Sequence, residues 1–279
     1  MMIVWLASYP KSGNTWVRLF IDSLLDSREK FVDINNIKIK QFPLRSHFDD
    51  LNVNIDNVNE FVSNCIIAQE KINLDKSIKI FKTHNAFWKA GPFAFTNESN
   101  SKGVIHIVRD PRNVITSVLN HFSTENYDEA LKIMTNSKQS LGSKIDNKET
   151  DLPTVVSSWS NHFNSWKKMK KNYLLIKYEN LLSNTEEEFN KIAKYLNVHL
   201  GKNYKMKEVI QAIKNCDFES LKKQENEYGF KESSQDKKGN IKKFFHLGPK
   251  NNWEDILDDK TKKKIENAFK DEMMELGYL

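Results

Sequence analysis

Short apolar runs alternate with longer amphipathic stretches along this 279-residue chain, and this alternation constrains its fold more than any other feature. Four runs rich in aliphatic and aromatic residues have the character of buried strands: Ile3–Ala7, Ile78–Phe81, Val104–Val108 and Tyr173–Lys177. The predicted helices are Asn14–Leu25, Arg112–Phe122, Pro153–Lys171, Glu186–Leu196, Met206–Lys214 and Lys260–Leu276. Strands that alternate with helices are typical of βαβ units, so we predict an α/β fold with a central parallel sheet flanked by helices.

No internal repeat or linker divides the chain, and we therefore expect a single domain over residues 1–279. Three polar, weakly patterned stretches are predicted to be surface loops or lids: Asp33–Asn59, Ser123–Asp151 and Lys222–Lys243. Asp110 followed by Pro111 marks the start of a helix, because an acidic N-cap and a proline in the first turn both favour helix initiation.

Composition excludes some classes of protein and leaves others open. A hydrophobic content of 39% is too high for a disordered chain. The 43 basic residues against 37 acidic ones favour an anionic ligand only weakly, since a lysine-rich surface has the same balance. Cys65 and Cys216 are far apart and are expected to be free thiols. We find no transmembrane run and no signal-peptide pattern at the N-terminus, so the expected location is cytoplasmic.

Polar segments follow each of the four predicted strands. They begin at Tyr9, Lys82, Arg109 and Tyr178. Because ligands of open parallel sheets bind beyond the carboxyl ends of the strands, these segments are expected to line one crevice. Lys11, His84, Arg109 and Tyr178 would then contribute two cations, one titratable base and one phenol.

The first segment has the composition of a phosphate-binding loop between a strand and a helix. Gly13 permits a tight turn, the helix N-terminus offers free N–H groups, and Lys11 adds a positive charge. Ser12, Asn14 and Thr15 add hydrogen-bond donors. The pattern is not that of the nucleoside triphosphatases, in which the lysine follows a second glycine.

In combination these segments resemble the sulfotransferases that use 3′-phosphoadenosine 5′-phosphosulfate (PAPS). Tyr9–Trp16 resembles that family's 5′-phosphosulfate loop, and Val104–Phe122 resembles its 3′-phosphate motif. Phe81–His84 is similar to the segment that carries the family's catalytic histidine. Weaker likenesses continue through 174–182, 218–221 and 275–278. The resemblance implies a fold like that of the P-loop nucleotide-binding proteins and transfer of a sulfuryl group from PAPS.

Residue by residue, the resemblance implies the following nucleotide-binding positions: Lys11, Ser12, Gly13, Asn14, Thr15, Trp16, Arg109, Ser117, Tyr178, Phe218, His246 and Gly248. Trp16 and Phe218 match residues that sandwich the adenine ring. Arg109 and Ser117 match ligands of the 3′-phosphate, and Tyr178 matches a tyrosine that lines the site.

The resemblance also implies the catalytic groups. His84 matches the general base that takes a proton from the acceptor hydroxyl or amine. Lys11 matches the lysine that stabilises the leaving phosphate, and Lys82 matches a lysine beside the transferring group. Sulfuryl transfer resembles loose in-line phosphoryl transfer, in which positioning and fixed charge suffice, so no metal is expected.

The sequence departs from the family pattern in the C-terminal third. The family has a basic Arg-Lys-Gly run that closes on the 3′-phosphate, whereas the segment Phe244–Trp253 aligns with His246 and Leu247 in place of the two basic residues. Lys237-Lys238-Gly239 is the alternative, upstream of the usual position. Cys216 stands where a threonine commonly contacts the adenine amino group.

Two other classes of function remain open from the residues alone. A P-loop kinase or nucleotide hydrolase would use the same loop, with Asp110 as a magnesium ligand. A binder of polyanions would need only the net charge, and no basic patch interleaved with aromatic residues supports binding of nucleic acid. His106 is expected to be a core histidine, and Trp159 and Trp166 are expected to be core residues.

The acceptor of a sulfuryl group is not identified by the sequence, nor is the oligomeric state. A small alcohol, a phenol, a sugar or a lipid would each be compatible. The aromatic residues after His84 predict either an apolar wall for this acceptor or a satellite core. They are Phe87, Trp88, Phe93 and Phe95.

Overall fold

The computed structural model describes residues 2–26, 32–122, 124–142, 152–235 and 238–279. The strands among these residues are β1 (Ile3–Ser8), β2 (Lys79–Thr83), β3 (Lys89–Ala90), β4 (Phe93–Ala94), β5 (Ser101–Val108), β6 (Ser140–Leu141), β7 (Thr154–Val155), β8 (Tyr173–Lys177), β9 (Ser234–Gln235) and β10 (Ile241–Lys242). All four strands predicted from the sequence are confirmed, as β1, β2, β5 and β8.

The α-helices are α1 (Asn14–Leu25), α2 (Val58–Ile72), α3 (Pro111–His121), α4 (Tyr127–Thr135), α5 (Trp159–Trp166), α6 (Tyr178–Ser183), α7 (Thr185–Leu200), α8 (Met206–Asn215), α9 (Phe218–Tyr228), α10 (Trp253–Ile256), α11 (Asp259–Ala268) and α12 (Lys270–Leu276). Short 3₁₀ helices cover Arg45–His47, Asn73–Asp75 and Gly248–Lys250. Among the described residues, no helix is both long enough and apolar enough to cross a membrane.

The central sheet has the strand order β2-β1-β5-β8. Strand β1 pairs in parallel with both β2 and β5, and its six residues are all buried. The predicted α/β fold with a parallel sheet is therefore confirmed. Such a strand is apolar along its whole length because helices cover both faces of a parallel sheet.

The chain separates into two compact units, each built from three segments. The first comprises Met1–Tyr9, Ile39–Ile107 and Thr135–Leu175. Its core surrounds the indole of Trp5, whose ring centroid lies 5.1–6.4 Å from those of Phe42, Phe81, Phe95 and Trp166. The second unit comprises Pro10–Lys38, Val108–Met134 and Ile176–Leu279 and is mainly helical. The expectation of a single domain stays a prediction.

In the second unit, Arg112 joins the start of α3 to the C-terminal helices. Its guanidinium lies 2.7 Å from Asp110 and 2.7 Å from Glu266, and it also donates to the Tyr278 carbonyl. The side chains of Arg112 and Asp110 are almost fully buried. The segment 275–278 thus accepts one hydrogen bond from α3, at the Tyr278 carbonyl.

The predicted helix Pro153–Lys171 is wrong at both ends. Residues 154–155 instead form β7, and the N–H groups of Val156 and Ser157 donate to the Gln139 carbonyl. Ser157 has a left-handed backbone with φ of +64°, which is incompatible with a helix at that position. Helix α5 begins only after Ser158, whose hydroxyl accepts from the Asn161 N–H.

Three further predictions about helices and loops need correction. Helix α2, capped by the Asn57 side chain, was not predicted, and α4 lies inside the predicted loop Ser123–Asp151. Helix α9 extends to Tyr228, into the predicted loop Lys222–Lys243. The predicted helix Lys260–Leu276 is divided at Phe269 into α11 and α12. Helices α2 and α4 were missed although both carry apolar residues at helical spacing, because the stretches in or beside which they begin were interpreted as loops.

Two fully buried histidines lie next to each other in the first unit. The His106 Nδ1 lies 2.8 Å from the Tyr173 hydroxyl, and the His106 and His162 ring centroids are 5.8 Å apart. Within the part of the chain that the structure describes, neither Nε2 has a hydrogen-bond partner. Burial lowers the pKa of His162 to about 3, although carbonyls of His84 and Asn85 oppose the shift. Burial, followed by the charge of His162, also lowers the pKa of His106.

We expect this pair to make the protein less stable in mild acid. Because both histidines stay neutral in the folded state, the unfolded state binds more protons below its own histidine pKa of about 6.5. The free energy of unfolding should therefore fall as the pH drops below about 6.5. Each of the two histidines would lower it by up to about 1.4 kcal/mol for every pH unit. Chemical unfolding of the His106→Phe variant should show a shallower pH dependence. His199→Gln, at a partly exposed position of α7, is the control, and equal slopes for both variants would contradict this explanation.

Candidate active site

The loop between β1 and α1 has the backbone geometry of an anion-binding concavity. Lys11 has φ of +66° and Gly13 has φ of +97°. Left-handed residues in a tight turn can direct successive N–H groups toward the same point. Gly13 is the N-cap of α1 and, because it lacks a side chain, makes no side-chain cap hydrogen bond. Backbone N–H groups at the N-terminus of a helix are well placed to bind an anion.

Gly13 is also required by close packing. A Cβ atom at this position would lie 2.4 Å from the Tyr178 ring. The Arg109 guanidinium carbon lies 4.2 Å from the centroid of the same ring. Arg109 in turn donates from Nη1 to the Lys11 carbonyl over 3.0 Å. The loop, the tyrosine and the arginine are therefore in mutual contact, and this arrangement brings together four predicted site residues: Lys11, Gly13, Arg109 and Tyr178.

Two buried polar atoms of this arrangement have no partner among the described residues. They are the Ser12 hydroxyl and the Arg109 Nε. Both side chains are more than nine-tenths buried. A buried donor without a partner costs about 1–3 kcal/mol, which an anionic ligand would recover. The donor set therefore fits a phosphate or sulfate group.

The Lys11 ammonium is held over an aromatic ring. Its Nζ lies 4.1 Å from the centroid of Phe244, in the segment that follows β10. A cation over the face of an aromatic ring is stabilised by about 0.5–1 kcal/mol at an exposed site. Phe244 was not predicted as a site residue, because nothing in the sequence places it against Lys11.

The aromatic residues predicted to hold adenine occupy partly exposed positions. The Trp16 ring packs edge-on against Tyr178 and Phe189, with centroid distances of 6.1 and 5.2 Å, and its indole N–H bonds to Cys216. The Phe218 ring covers Gly248, where a Cβ would lie 2.2 Å away. A glycine is therefore also required at position 248, because any side chain there would collide with the Phe218 ring.

Burial raises the pKa of the Cys216 thiol to about 12, and burial has the same effect on Cys65. Both cysteines are free, as predicted. Cys216 therefore remains a neutral thiol, which accepts the Trp16 hydrogen bond. Contact between residue 216 and adenine stays a prediction.

The region predicted to bind the 3′-phosphate contains an asparagine that sequence reasoning missed. Asn251 donates to the Ser117 hydroxyl over 3.2 Å and accepts from Thr116 over 2.7 Å. His246 is exposed, as are Lys238 and Gly239, whereas Lys237 lies outside the described residues. The described residues therefore do not distinguish between the two predicted registers of the basic clamp, the one at His246 and Leu247 and the one at Lys237-Lys238-Gly239.

The geometry of His84 defines its tautomer. Its Nδ1 lies 2.8 Å from the Ser8 carbonyl oxygen at the end of β1, and 3.3 Å from the Ser8 hydroxyl. Because a carbonyl oxygen only accepts, Nδ1 carries the hydrogen, and Nε2 of the neutral ring has the free electron pair. The ring of His84 is half-buried, and its role as a general base stays a prediction.

Lys82 is the last-but-one residue of β2 and is 9% exposed. Its ammonium donates to the Gln41 side-chain oxygen over 2.9 Å. Residues 40–42 extend the sheet next to β2, since the Lys82 N–H donates to the Lys40 carbonyl and the Phe42 N–H donates to the Lys82 carbonyl. Residues 40–42 thus hold both the backbone and the side-chain ammonium of Lys82.

A cavity of about 1010 Å³ lies in the first unit, and its lining begins two residues after His84. Its apolar lining residues include Ile66, Ile67, Phe87, Trp88 and Phe93. Its polar lining residues include Ser137, Ser157, Asn161, Asn164 and Ser165. Phe95 instead lies in the core, with 1% exposure, so the predicted aromatic wall is only partly in the cavity.

The wall after His84 is held by hydrogen bonds. The Ala86 N–H donates to the Val155 carbonyl over 2.8 Å, and the Phe87 N–H donates to the Ser165 hydroxyl over 2.9 Å. The Trp88 indole N–H donates to the Asn85 side chain. The cavity is thus bordered by a fixed backbone, which suits a binding site that is formed before its ligand arrives.

A family model described as the sulfotransferase domain matches residues 3–277. The chain belongs to the sulfotransferase family. The strand-end motifs are therefore those of a sulfotransferase, and the resemblance drawn from the sequence is confirmed.

Among curated proteins, this sulfotransferase is 26% identical over 208 residues to Sulfotransferase 1B1 of Canis lupus familiaris, a match covering 70% of this chain and 59% of that protein. It is 25% identical over 232 residues to luciferin sulfotransferase of Photinus pyralis, covering 78% and 56% of the two chains. The matched part of this chain thus spans less than two thirds of the length of these relatives.

Solved structures show the same fold. The crystal structure of mouse sulfotransferase SULT7A1 complexed with PAP matches with a TM-score of 0.57 and 17% identity, covering 98% of this chain and 84% of that chain. Retinol dehydratase in complex with androsterone and the inactive cofactor PAP matches with a TM-score of 0.59 and 16% identity, covering 97% and 80%.

The alternative of a magnesium-dependent kinase conflicts with the position of Asp110. Its carboxylate caps α3 by accepting from the Arg112 N–H, and both of its oxygens accept from the Arg112 guanidinium. A carboxylate committed to an arginine in this way is not available as a metal ligand without breaking a buried ion pair.

Proposed function

We propose that this sulfotransferase uses PAPS as its sulfuryl donor and transfers the group to a hydroxyl or amine of a small organic acceptor. The left-handed loop at Lys11 and Gly13, with a buried Ser12 hydroxyl that has no partner among the described residues, is the observation that carries the proposal. Its anion-binding geometry fits the 5′-phosphosulfate group of PAPS, and solved sulfotransferases of the same fold are complexed with PAP.

The residues of the chain would divide the work as follows. The loop N–H groups and Lys11 bind the 5′-phosphate and stabilise the negative charge that develops there when the sulfur–oxygen bond breaks. Arg109 and Ser117 bind the 3′-phosphate. Trp16, Tyr178 and Phe218 line the base and ribose.

Chemistry on the acceptor side would depend on the other candidate residues. Bound PAPS would supply the sulfuryl group. The sulfur–oxygen bond breaks, and its electron pair stays on the bridging oxygen, which becomes part of the leaving 5′-phosphate. His84 accepts the acceptor proton at Nε2 as the new sulfur–oxygen or sulfur–nitrogen bond forms. Lys82 adds positive charge at the transferring group. The expectation that no metal takes part stays a prediction.

A binding measurement tests the proposal. PAP, 3′-phosphoadenosine 5′-phosphate, is the product that remains when PAPS has given up its sulfuryl group. Isothermal titration without magnesium should show binding of PAP. Adenosine 5′-phosphate should bind more weakly because it lacks the 3′-phosphate. Binding of magnesium–ATP with no measurable affinity for PAP would contradict the proposal and favour the kinase alternative.

We further place the acceptor in the cavity beyond His84. Its volume of about 1010 Å³ suits a small molecule, and its mixed apolar and polar lining suits an amphipathic one such as a phenol, sterol or glycoside. A curated relative acts on luciferin by its name, and a solved neighbour was crystallised with androsterone.

Replacing Trp88 with Ala should raise the KM for the acceptor about tenfold or more, because a buried aromatic contact contributes about 1.5–3 kcal/mol. The affinity for PAP should stay unchanged. Steady-state kinetics with Trp88→Phe as the conservative control separates lost packing from misfolding. If the KM for the acceptor were unchanged in Trp88→Ala, the acceptor would not bind in this cavity.

A further inference from the structure

Glu225 is a buried carboxylate on α9 with no assigned role. It is 1% exposed and lies on a helix whose other acidic residues are exposed or partly exposed. One carboxylate oxygen accepts from the Phe244 N–H over 2.7 Å and from the Ser233 hydroxyl over 2.8 Å. The other accepts from the Phe245 N–H over 2.9 Å. The segment after β10 is therefore attached to α9 at two consecutive backbone positions.

This attachment fixes three contacts of the candidate nucleotide site. Phe244 lies under the Lys11 ammonium, and Phe245 packs against Phe218 with a centroid distance of 6.2 Å. Three residues further on, Gly248 lies directly against the Phe218 ring. The backbone that Glu225 holds thus leads to both the phosphate-binding lysine and the ring predicted to hold adenine.

The charge of Glu225 cannot itself attract an anionic nucleotide, because like charges repel. Its contribution is therefore geometric. A carboxylate that accepts several hydrogen bonds from N–H and O–H groups fixes their positions more strongly than a neutral acceptor does. The two adjacent N–H groups of Phe244 and Phe245 here use one oxygen each, and a carboxylate provides both acceptors.

We infer that Glu225 is a positioning residue for nucleotide binding. It sets the place of Phe244, whose ring orients the Lys11 ammonium, and the place of Gly248 against Phe218. This inference rests on the proposed use of PAPS, since the affinity it controls is that for the nucleotide.

The variant Glu225→Gln tests this inference with little change in side-chain size. Because glutamine offers one acceptor oxygen and one N–H₂ group, one of the two backbone N–H groups loses its partner. The dissociation constant of PAP should rise about tenfold, as expected for one lost buried hydrogen bond. Glu227→Gln, at an exposed position on the same helix, is the matched control and should bind like the wild type.

A second readout needs no nucleotide. Without PAP, trypsin should cleave after Lys242 and Lys243 about tenfold faster in Glu225→Gln than in Glu227→Gln, because the segment opens more often when a hydrogen bond is lost. Equal cleavage rates together with equal PAP affinities in the two variants would overturn the inference. Wild-type protein that binds no PAP would instead overturn the proposed function, and the cleavage rates would still report the attachment.

A double variant separates positioning from general stability. If Glu225 acts through Phe244, then Glu225→Gln combined with Phe244→Leu should weaken PAP binding no more than the stronger single variant does. If the losses in PAP affinity of the two single variants added up in the double variant, Glu225 would not act through Phe244. Unfolding curves of all variants confirm that each is folded at the temperature of measurement.

Discussion

Replacing His84 with Asn is expected to lower kcat about 10²–10⁴-fold and to leave the dissociation constant of PAP unchanged, since this is the usual contribution of a general base. The Ser8 carbonyl fixes the His84 hydrogen on Nδ1, so the reactive electron pair is on Nε2. The asparagine N–H₂ group can still donate to the Ser8 carbonyl, but the side chain has no basic nitrogen. The local structure is retained while the proposed base is removed.

Kinetics with saturating PAPS and a defined acceptor measure this effect. The His84→Ala variant should lose the same activity, because both variants lack Nε2, whereas His199→Gln should retain it. A kcat for His84→Asn within a few-fold of the wild-type value would show that another group takes the proton.

The second large effect is expected for Gly13→Ala, which should reduce PAP affinity at least about tenfold. The new Cβ would lie 2.4 Å from the Tyr178 ring, and the backbone would stay at φ of +97°. A left-handed conformation costs a residue other than glycine about 1–2 kcal/mol. Displacement of Tyr178 would also disturb Arg109, which packs on the tyrosine ring and donates to the Lys11 carbonyl.

Gly201→Ala provides the matched control for this variant. Gly201 has a φ of +63° after α7, but a Cβ atom at this position would have no neighbour within 4 Å among the described residues. The variant should lose stability through the backbone strain alone and keep its affinity for PAP. If Gly13→Ala and Gly201→Ala bound PAP equally well, the close packing of Tyr178 on the loop would have no role in nucleotide binding.

The sequence was most informative where function and local structure depend on the same few residues. Strand β1 and the loop at Lys11–Gly13 are recognised from consecutive residues, because the strand is continuously apolar and the turn needs glycine. His84 could be singled out among seven histidines because it follows a strand end. The tautomer on which its proposed role as a base depends is set by Ser8, which is distant in sequence and was not predictable.

Other features of the candidate site depend on contacts between distant segments. Glu225 and Asn251 are polar residues in polar stretches, and the expectation for such residues is exposure to solvent. Only the packing of 244–251 against α9 and α3 buries them. Likewise, Phe87 and Phe95 share a short aromatic segment, yet one lines the cavity and the other packs against Trp5 in the core.

The most direct test of PAPS-dependent sulfuryl transfer is the release of PAP from PAPS in the presence and absence of an acceptor. With a panel of phenols, sterols and glycosides, the wild type should release PAP only when an acceptor is present and should form one sulfated product for each PAP. The His84→Asn variant should bind PAPS and release almost none. Acceptor-independent release by the wild type, or phosphate transfer from magnesium–ATP without any use of PAPS, would contradict PAPS-dependent transfer to an acceptor.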